Sequence, residues 1–157
     1  MKRYIGCKMI EAEPALKING KVVKQEGDYI DIPVGAEVED GYRVKYADGY
    51  ESWSPKDVFE RAYITVDDNK ALPSGVSVGE KMVDEFISST ERFTISPCTT
   101  VVHCILRNGF TITESSACVD PKNYDEKVGE EICMKKIKSK IWNHLGFLLQ
   151  TAWHGIL

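Results

Sequence analysis

Thr99-Thr100-Val101-Val102-His103-Cys104-Ile105-Leu106-Arg107-Asn108-Gly109-Phe110-Thr111-Ile112-Thr113 decides the fold of this chain. The run Thr99 to Leu106 is rich in β-branched and apolar residues. Asn108-Gly109 follows it, the dipeptide that suits a tight hairpin because both central positions of a type I′ turn need a positive φ. Phe110-Thr111-Ile112-Thr113 then returns as a second strand. Upstream, Ser77 and Glu80 have capping-box spacing, and Val78, Met82, Val83, Phe86 and Ile87 fall on one helical face. Downstream, after Asp120-Pro121, Asn123 and Glu126 repeat that spacing and predict a helix beginning near Asn123. Val128, Ile132, Ile137 and Ile141 lie on one side of it, with Lys135, Lys136, Lys138 and Lys140 opposite.

Residues 1–63 read mostly as strands. Arg3 to Ile10 is a short β-type run. Lys17 to Val23 carries the turn Asn19-Gly20 between apolar residues, a second hairpin. Tyr29 to Ile32 is a short strand stopped by Pro33, and Gly41 to Tyr46 alternates before a turn at Asp48-Gly49. Ser54 as N-cap, Pro55 in the first helical position and Asp57 in the first turn predict a helix running to about Tyr63. Asp67-Asp68-Asn69-Lys70 and Pro73-Ser74-Gly75 are polar and rich in breakers, which marks a linker over 64–76. These readings predict an α+β protein. A strand-rich N-terminal lobe over 1–63 ends in a short helix. A helix–hairpin–helix lobe over 77–157 is built around a small antiparallel sheet.

The chain has 157 residues, 43% of them apolar and 10% aromatic, which favours a packed core over disorder. No stretch approaches the ~20 apolar residues of a membrane span. The N-terminus Met1-Lys2-Arg3-Tyr4-Ile5-Gly6-Cys7-Lys8 is too polar for a secretory signal, so the expected compartment is the cytosol. The five cysteines, Cys7, Cys98, Cys104, Cys118 and Cys133, are odd in number and irregularly spaced, with no C-x-x-C pair. They read as reduced, mostly buried thiols. A net charge of −4 argues against a general nucleic-acid binder. Neither DNA nor a membrane is an expected partner.

The residues that carry chemistry elsewhere form no catalytic or metal pattern here. His103, His144 and His154 belong to no H-E-x-x-H or C-x-x-C…H arrangement, and the glycines build no phosphate loop. Asp67-Asp68 and Glu130-Glu131 read as solvated surface rather than a cluster of converging oxygens. No cofactor is implied. The aromatics are more informative: Tyr50, Trp53, Phe110 and Tyr124 sit at turns or element ends, where a large ring packs the core or stacks on a base. The lysines at 135–140 are a solvated helix face unless that helix edges a pocket for an anion. Asn123 and Asp125 at a helix start serve as caps, or read a base edge or ribose hydroxyls through directed hydrogen bonds.

Two segments resemble known families. The stretch Thr100 to Phe110, then Glu114-Ser115-Ser116-Ala117-Cys118-Val119-Asp120-Pro121, Asn123-Tyr124-Asp125, Gly129, Lys140-Ile141-Trp142 and Leu145-Gly146-Phe147-Leu148-Leu149, is similar to a family of small tailed-phage proteins. That family's pattern runs strand, N-G-F, strand, S-A-C-[VA]-x-P, N-[FY]-D, a helix ending K-I-W, and a short L-x-G-[YF]-L-L tail. The segment from Gly41 through Ser52-Trp53-Ser54-Pro55 to Ala62-Tyr63 resembles another module common in phage proteins. The C-terminal lobe also resembles the Thoeris anti-defence sponges, which are of similar size. They bind cyclic ADP-ribose isomers made by bacterial TIR enzymes and sequester the signal without cutting it.

That resemblance implies a pocket with an aromatic, an Asn/Asp pair near a helix start, and basic residues for a diphosphate. Phe110, Asn123, Asp125 and Lys140 match those types. Lys140 stands where arginine is also usual, and lysine lacks the bidentate fork. Lys136 extends the basic face, and Trp53 is a further stacking candidate. The expected protein is a non-enzymatic sponge in the cytoplasm of an infected bacterium. Its ligand is a cyclic ADP-ribose isomer or a cyclic oligonucleotide, held in a homo-oligomer, a dimer or higher even assembly. The alternative is a phage protein-interaction module docking a host protein through an apolar C-terminus, Trp153, Ile156 and Leu157. A cryptic hydrolase of the same signal lacks a base–nucleophile–metal set.

Overall fold

The structure, a computed structural model, describes residues 1–24 and 30–157. It is an α+β protein with two compact units. The first comprises Met1–Thr65 together with Ala152–Leu157, and the second Val66–Thr151.

The first unit is a four-stranded antiparallel sheet of β1 (Glu11–Ile18), β2 (Lys21–Lys24), β3 (Val38–Lys45) and β4 (Glu51–Pro55), in the order β2-β1-β3-β4, followed by helix α1 (Lys56–Ala62). Asn19-Gly20 makes the expected hairpin, with φ of 48° and 80°. Asn19 also ties the entry of β3: its N–H donates to Glu37 O at 2.9 Å and its Oδ1 accepts from Glu37 N at 3.0 Å. The expected strand over Arg3 to Ile10 does not form. β3 turns away after Lys45, the partner of Glu11, so the chain before Glu11 has no strand edge to pair with. Of the expected strand Tyr29 to Ile32, Tyr29 lies outside the described residues, and Ile30, Asp31 and Ile32 form no strand. Strand β4 was not evident in the sequence, and it takes up Ser54 and Pro55. The cap of α1 is therefore Pro55, with no side-chain capping bond. Gly41 sits in the middle of β3 because the Trp53 indole lies across it; a Cβ there would come within 2.5 Å of Trp53 Cζ2. Ala15, Ile18 and Val44 are buried in this unit. Phe59 of α1 stacks between Tyr42 and Tyr63, with ring centroids 4.1 and 4.8 Å away.

The second unit contains α2 (Glu80–Glu85), an antiparallel sheet of β5 (Ile87–Ser96), β6 (Thr99–Leu106) and β7 (Thr111–Ala117), a 3-10 turn at Pro121–Asn123, and the long helix α3 (Glu126–His154). Val66 to Val76 clusters with this unit, closed by an isolated bridge between Asp68 and Val76. The hairpin at Asn108-Gly109 forms, but only Gly109 takes a positive φ, 81°: Gly109 N donates to Leu106 O at 2.8 Å and Leu106 N to Phe110 O at 2.8 Å, so the loop is a longer turn closed by the glycine rather than the two-residue type I′ turn. α2 is capped by Gly79 without a side-chain bond, so Ser77 and Glu80 make no capping box; Met82 and Val83 are its buried residues. β5 carries no strand signal in the sequence, because its side chains are almost all exposed; it is held as an edge strand by backbone pairing to β6.

Burial in β6 alternates, with Thr100, Val102, Cys104 and Leu106 inward. The inward face of α3 is Gly129, Cys133, Ile137, Ile141 and Leu145, one residue every four, a row that runs aslant the helix axis. The expected Ile137 and Ile141 are on it, whereas Val128 and Ile132 are exposed. Close approach decides the difference. A Cβ on Gly129 would lie 2.7 Å from Thr100 Cβ, and Cys133 Sγ reaches Thr100 O at 3.7 Å. Only small residues fit there. The cap of α3 is Asp125 rather than Asn123: its Oδ1 accepts from Lys127 N at 2.9 Å and Val128 N at 3.2 Å. Asn123 ends the 3-10 turn instead.

Candidate functional site

Helix α3 and strand β7 meet along a row of polar contacts that ends at an exposed ring. Lys136, Lys140 and His144 are spaced by four and share one side of the helix. Lys136 Nζ donates to Ser115 O at 2.8 Å. Lys140 is ion-paired with Glu114, whose side chain is only 15% exposed. The Phe110 ring meets the His144 ring edge-on at 5.5 Å and 78°. The contacts descend along the hairpin as they ascend along the helix, so α3 runs antiparallel to β7. Phe110 itself is 56% exposed, and the hairpin turn fixes its backbone through Phe110 N to Asn108 Oδ1 at 3.0 Å. The result is a rigidly mounted, accessible aromatic next to an imidazole and two lysines.

Phe110, Lys136 and Lys140 are thus brought onto one face. His144 and Glu114 complete it; the spacing of His144 four residues after Lys140 was the available signal, whereas nothing in the sequence pairs Glu114 with Lys140. Asn123 and Asp125 lie elsewhere. The helix start is ~22 Å from Lys140 along the axis at 1.5 Å per residue, so one copy of the chain does not gather all of these residues around one small ligand. Asp125 is engaged as a cap. Tyr124, between them, places its hydroxyl 2.8 Å from Thr100 Oγ1 and 3.0 Å from Thr94 Oγ1, and so ties the entry of α3 to β5 and β6. Trp53 belongs to the first unit. It packs on Gly41, donates from Nε1 to Ala15 O at 3.2 Å and has Lys17 Nζ 4.9 Å from its ring.

Open cavities lie among the described residues of the first unit. One, of about 360 Å³, is lined by Glu11, Glu13, Lys24, Arg43, Lys45 and Glu51. Arg43 forks onto Glu51 at 2.6 and 2.7 Å and reaches Glu13 at 3.0 Å. The hydrogen bonds from Arg43 hold the Glu51 carboxyl below its ordinary range. Another, of about 490 Å³, is lined by Lys8, Met9, Tyr46, Asp48 and Tyr50, with Tyr46 and Tyr50 stacked at 5.7 Å. Neither contains Phe110, Asn123, Asp125, Lys136, Lys140 or Trp53, whereas Tyr50, one of the aromatics noted at turns in the sequence, lines the second.

His103 and Cys104 are neighbours on β6 and so point to opposite faces of the sheet. His103 Nδ1 bonds Thr113 Oγ1 at 2.8 Å, while Cys104 is fully buried. Burial pushes the Cys104 and Cys133 thiols up, away from the reactive thiolate form. Among the described residues, no group of three or more His, Cys, Asp or Glu side chains is placed to hold a metal ion. No helix among them is long and apolar enough to cross a membrane.

Residues 78–153 match the model of the phage protein (N4 Gp49/phage Sf6 gene 66) family. The match covers the second unit from α2 through the hairpin to the end of α3, and it supports assigning that segment to a family of small phage proteins. No curated protein and no solved structure matches the chain.

Proposed function

We propose that this protein is a phage anti-defence sponge that binds a cyclic nucleotide immune signal, a cyclic ADP-ribose isomer or a cyclic oligonucleotide, and sequesters it without cleavage. The observation that carries the reading is the exposed Phe110 ring, held against His144 at the hairpin tip beside Lys140 and Lys136. A base stacks on the open face of Phe110, while the ligand's phosphates compete with Glu114 and Ser115 O for the two lysines. The Lys140–Glu114 ion pair and the Lys136 bond to Ser115 O already satisfy the two lysines, so their exchange onto phosphate is reversible.

Asn123 and Asp125 join such a site from a second copy of the chain. In a symmetric assembly the helix start of one subunit faces the hairpin tip of its neighbour. Trp142 and Phe147, 44% and 77% exposed on α3, supply apolar surface for that contact.

Calorimetric titration against cyclic ADP-ribose isomers and cyclic oligonucleotides tests the reading, followed by boiling the complex and analysing what is released. Intact ligand at a fixed ratio to protein is the expected result. Phe110→Ala should weaken binding by about 1–3 kcal/mol, the worth of one base–aromatic stack. A cleaved product would make the protein a hydrolase. No heat with any member would sink the nucleotide reading and leave protein docking, for which the exposed Trp153, Ile156 and Leu157 are the available surface.

A further inference from the structure

Cys98 and Cys118 take no part in the proposed site. Cys98 lies in the turn between β5 and β6, and Cys118 directly follows β7. The β6–β7 register pairs Thr100 with Ser116 and Thr99 with Ala117; one step further sets Cys98 opposite Cys118. Cys118 N donates to Cys98 O at 3.0 Å, the mark of a hydrogen-bonded antiparallel position. Cα atoms at such positions lie ~5.5 Å apart, within the ~4.4–6.8 Å that a disulfide spans. Both residues are half-buried. Burial first, and then the neighbouring Cys98 thiol, push the Cys118 thiol up. The other cysteines are differently placed: Cys104 and Cys133 are buried, and Cys7 lies in the first unit.

We infer that Cys98 and Cys118 are a modification site, at which a low-molecular-weight disulfide such as oxidised glutathione converts them into a cross-strand intramolecular disulfide. One thiol loses its proton and attacks a sulfur of the reagent, releasing one glutathione thiolate, which takes that proton. The second thiol then displaces glutathione from the mixed disulfide, its own proton passing to the second leaving thiolate. Two protein thiols and one oxidised glutathione become one protein disulfide and two reduced glutathiones. The change reaches the start of α3. In the reduced state Cys118 Sγ donates to Asp120 O at 3.2 Å, and Asp120 Oδ1 accepts from Lys122 N at 2.9 Å in the turn that delivers Asn123 and Asp125. Oxidation removes the S–H donor from that chain of contacts.

The test incubates the full chain with oxidised glutathione, quenches it by alkylation and reads intact mass and linked peptides. The expected product has lost two hydrogens, carries a Cys98–Cys118 link, melts at a higher temperature than the reduced protein and leaves the other cysteines alkylable after denaturation. Cys118→Ser should stop at a single glutathione adduct on Cys98. Stable adducts on both cysteines without a link, or a link through Cys7, would overturn the inference. So would a folded wild-type protein that remains fully reduced while a denatured sample oxidises.

Discussion

The two units solve the same packing problem with different means. The second drives a row of small and branched residues, from Gly129 to Leu145 on α3, into the inward face of β6, and its central side chains are wholly buried. Among its described apolar residues the first buries little beyond Ala15, Ile18 and Val44. It relies on Trp53 laid over Gly41, on the Tyr42–Phe59–Tyr63 stack and on the charged fan around Arg43. Hydrophobic burial scales with area and is not subject to charge screening, whereas exposed ion pairs contribute little and are screened. The second unit is therefore the stiffer platform, and the exposed Phe110 is mounted on it.

The largest effect that would break this contrast is in the α3 core. Ile137→Ala removes a side chain with no exposure and should cost about 2–5 kcal/mol. Amide exchange should quicken throughout β6, β7 and α3; a local or negligible response would mean that α3 does not anchor the second unit. Next is Gly41→Ala, which sets a Cβ against the Trp53 indole and should destabilise the first unit by about 1–3 kcal/mol. Its exchange signature should be confined to β1, β3 and β4, and spread into the second unit would show the two are one cooperative body. Asp125→Ala removes the side-chain cap of α3 and should cost about 1 kcal/mol, read as a lower denaturant midpoint with unchanged slope.

The smallest effect concerns Glu51. Its folded pKa is depressed by Arg43, so the stability it contributes is present above the ordinary carboxylate range and is lost as pH falls through the depressed value. Carboxyl NMR titration should find Glu51 below an ordinary glutamate, returning to the usual range in Arg43→Gln and moving toward it as salt is raised. An unshifted Glu51 in the wild type would remove the charged fan from the account of this unit.

Local chemistry made much of this legible. Gly20 and Gly109 supply the positive φ that each turn needs, joined by Asn19 in the first hairpin only, and both hairpins formed where the Asn-Gly pairs stand. The helix after Pro55 and the long helix over the lysine-rich segment likewise follow from residues close in sequence. Less was legible wherever a partner strand or helix decided the outcome. β5 exists because β6 offers it a backbone edge, and Arg3 to Ile10 is no strand because β3 has already turned away.

The candidate site divides in the same way. The sequence by itself determined that Phe110 stands at a hairpin tip and that Lys136 and Lys140 share a side of one helix, since turn chemistry and the 3.6-residue repeat are local properties; that the helix runs past the expected K-I-W end through His144 to His154 was seen only in the structure. Only the tertiary structure decided that Gly129 and Cys133, not Val128 and Ile132, meet the sheet, because the backbones of α3 and β6 approach too closely for a larger side chain. The same approach brought Phe110 against His144 and Lys140 against Glu114, and left Asn123 and Asp125 at the far end of the helix. Contacts between residues distant in sequence are set by how elements pack, and no spacing along the chain encodes them.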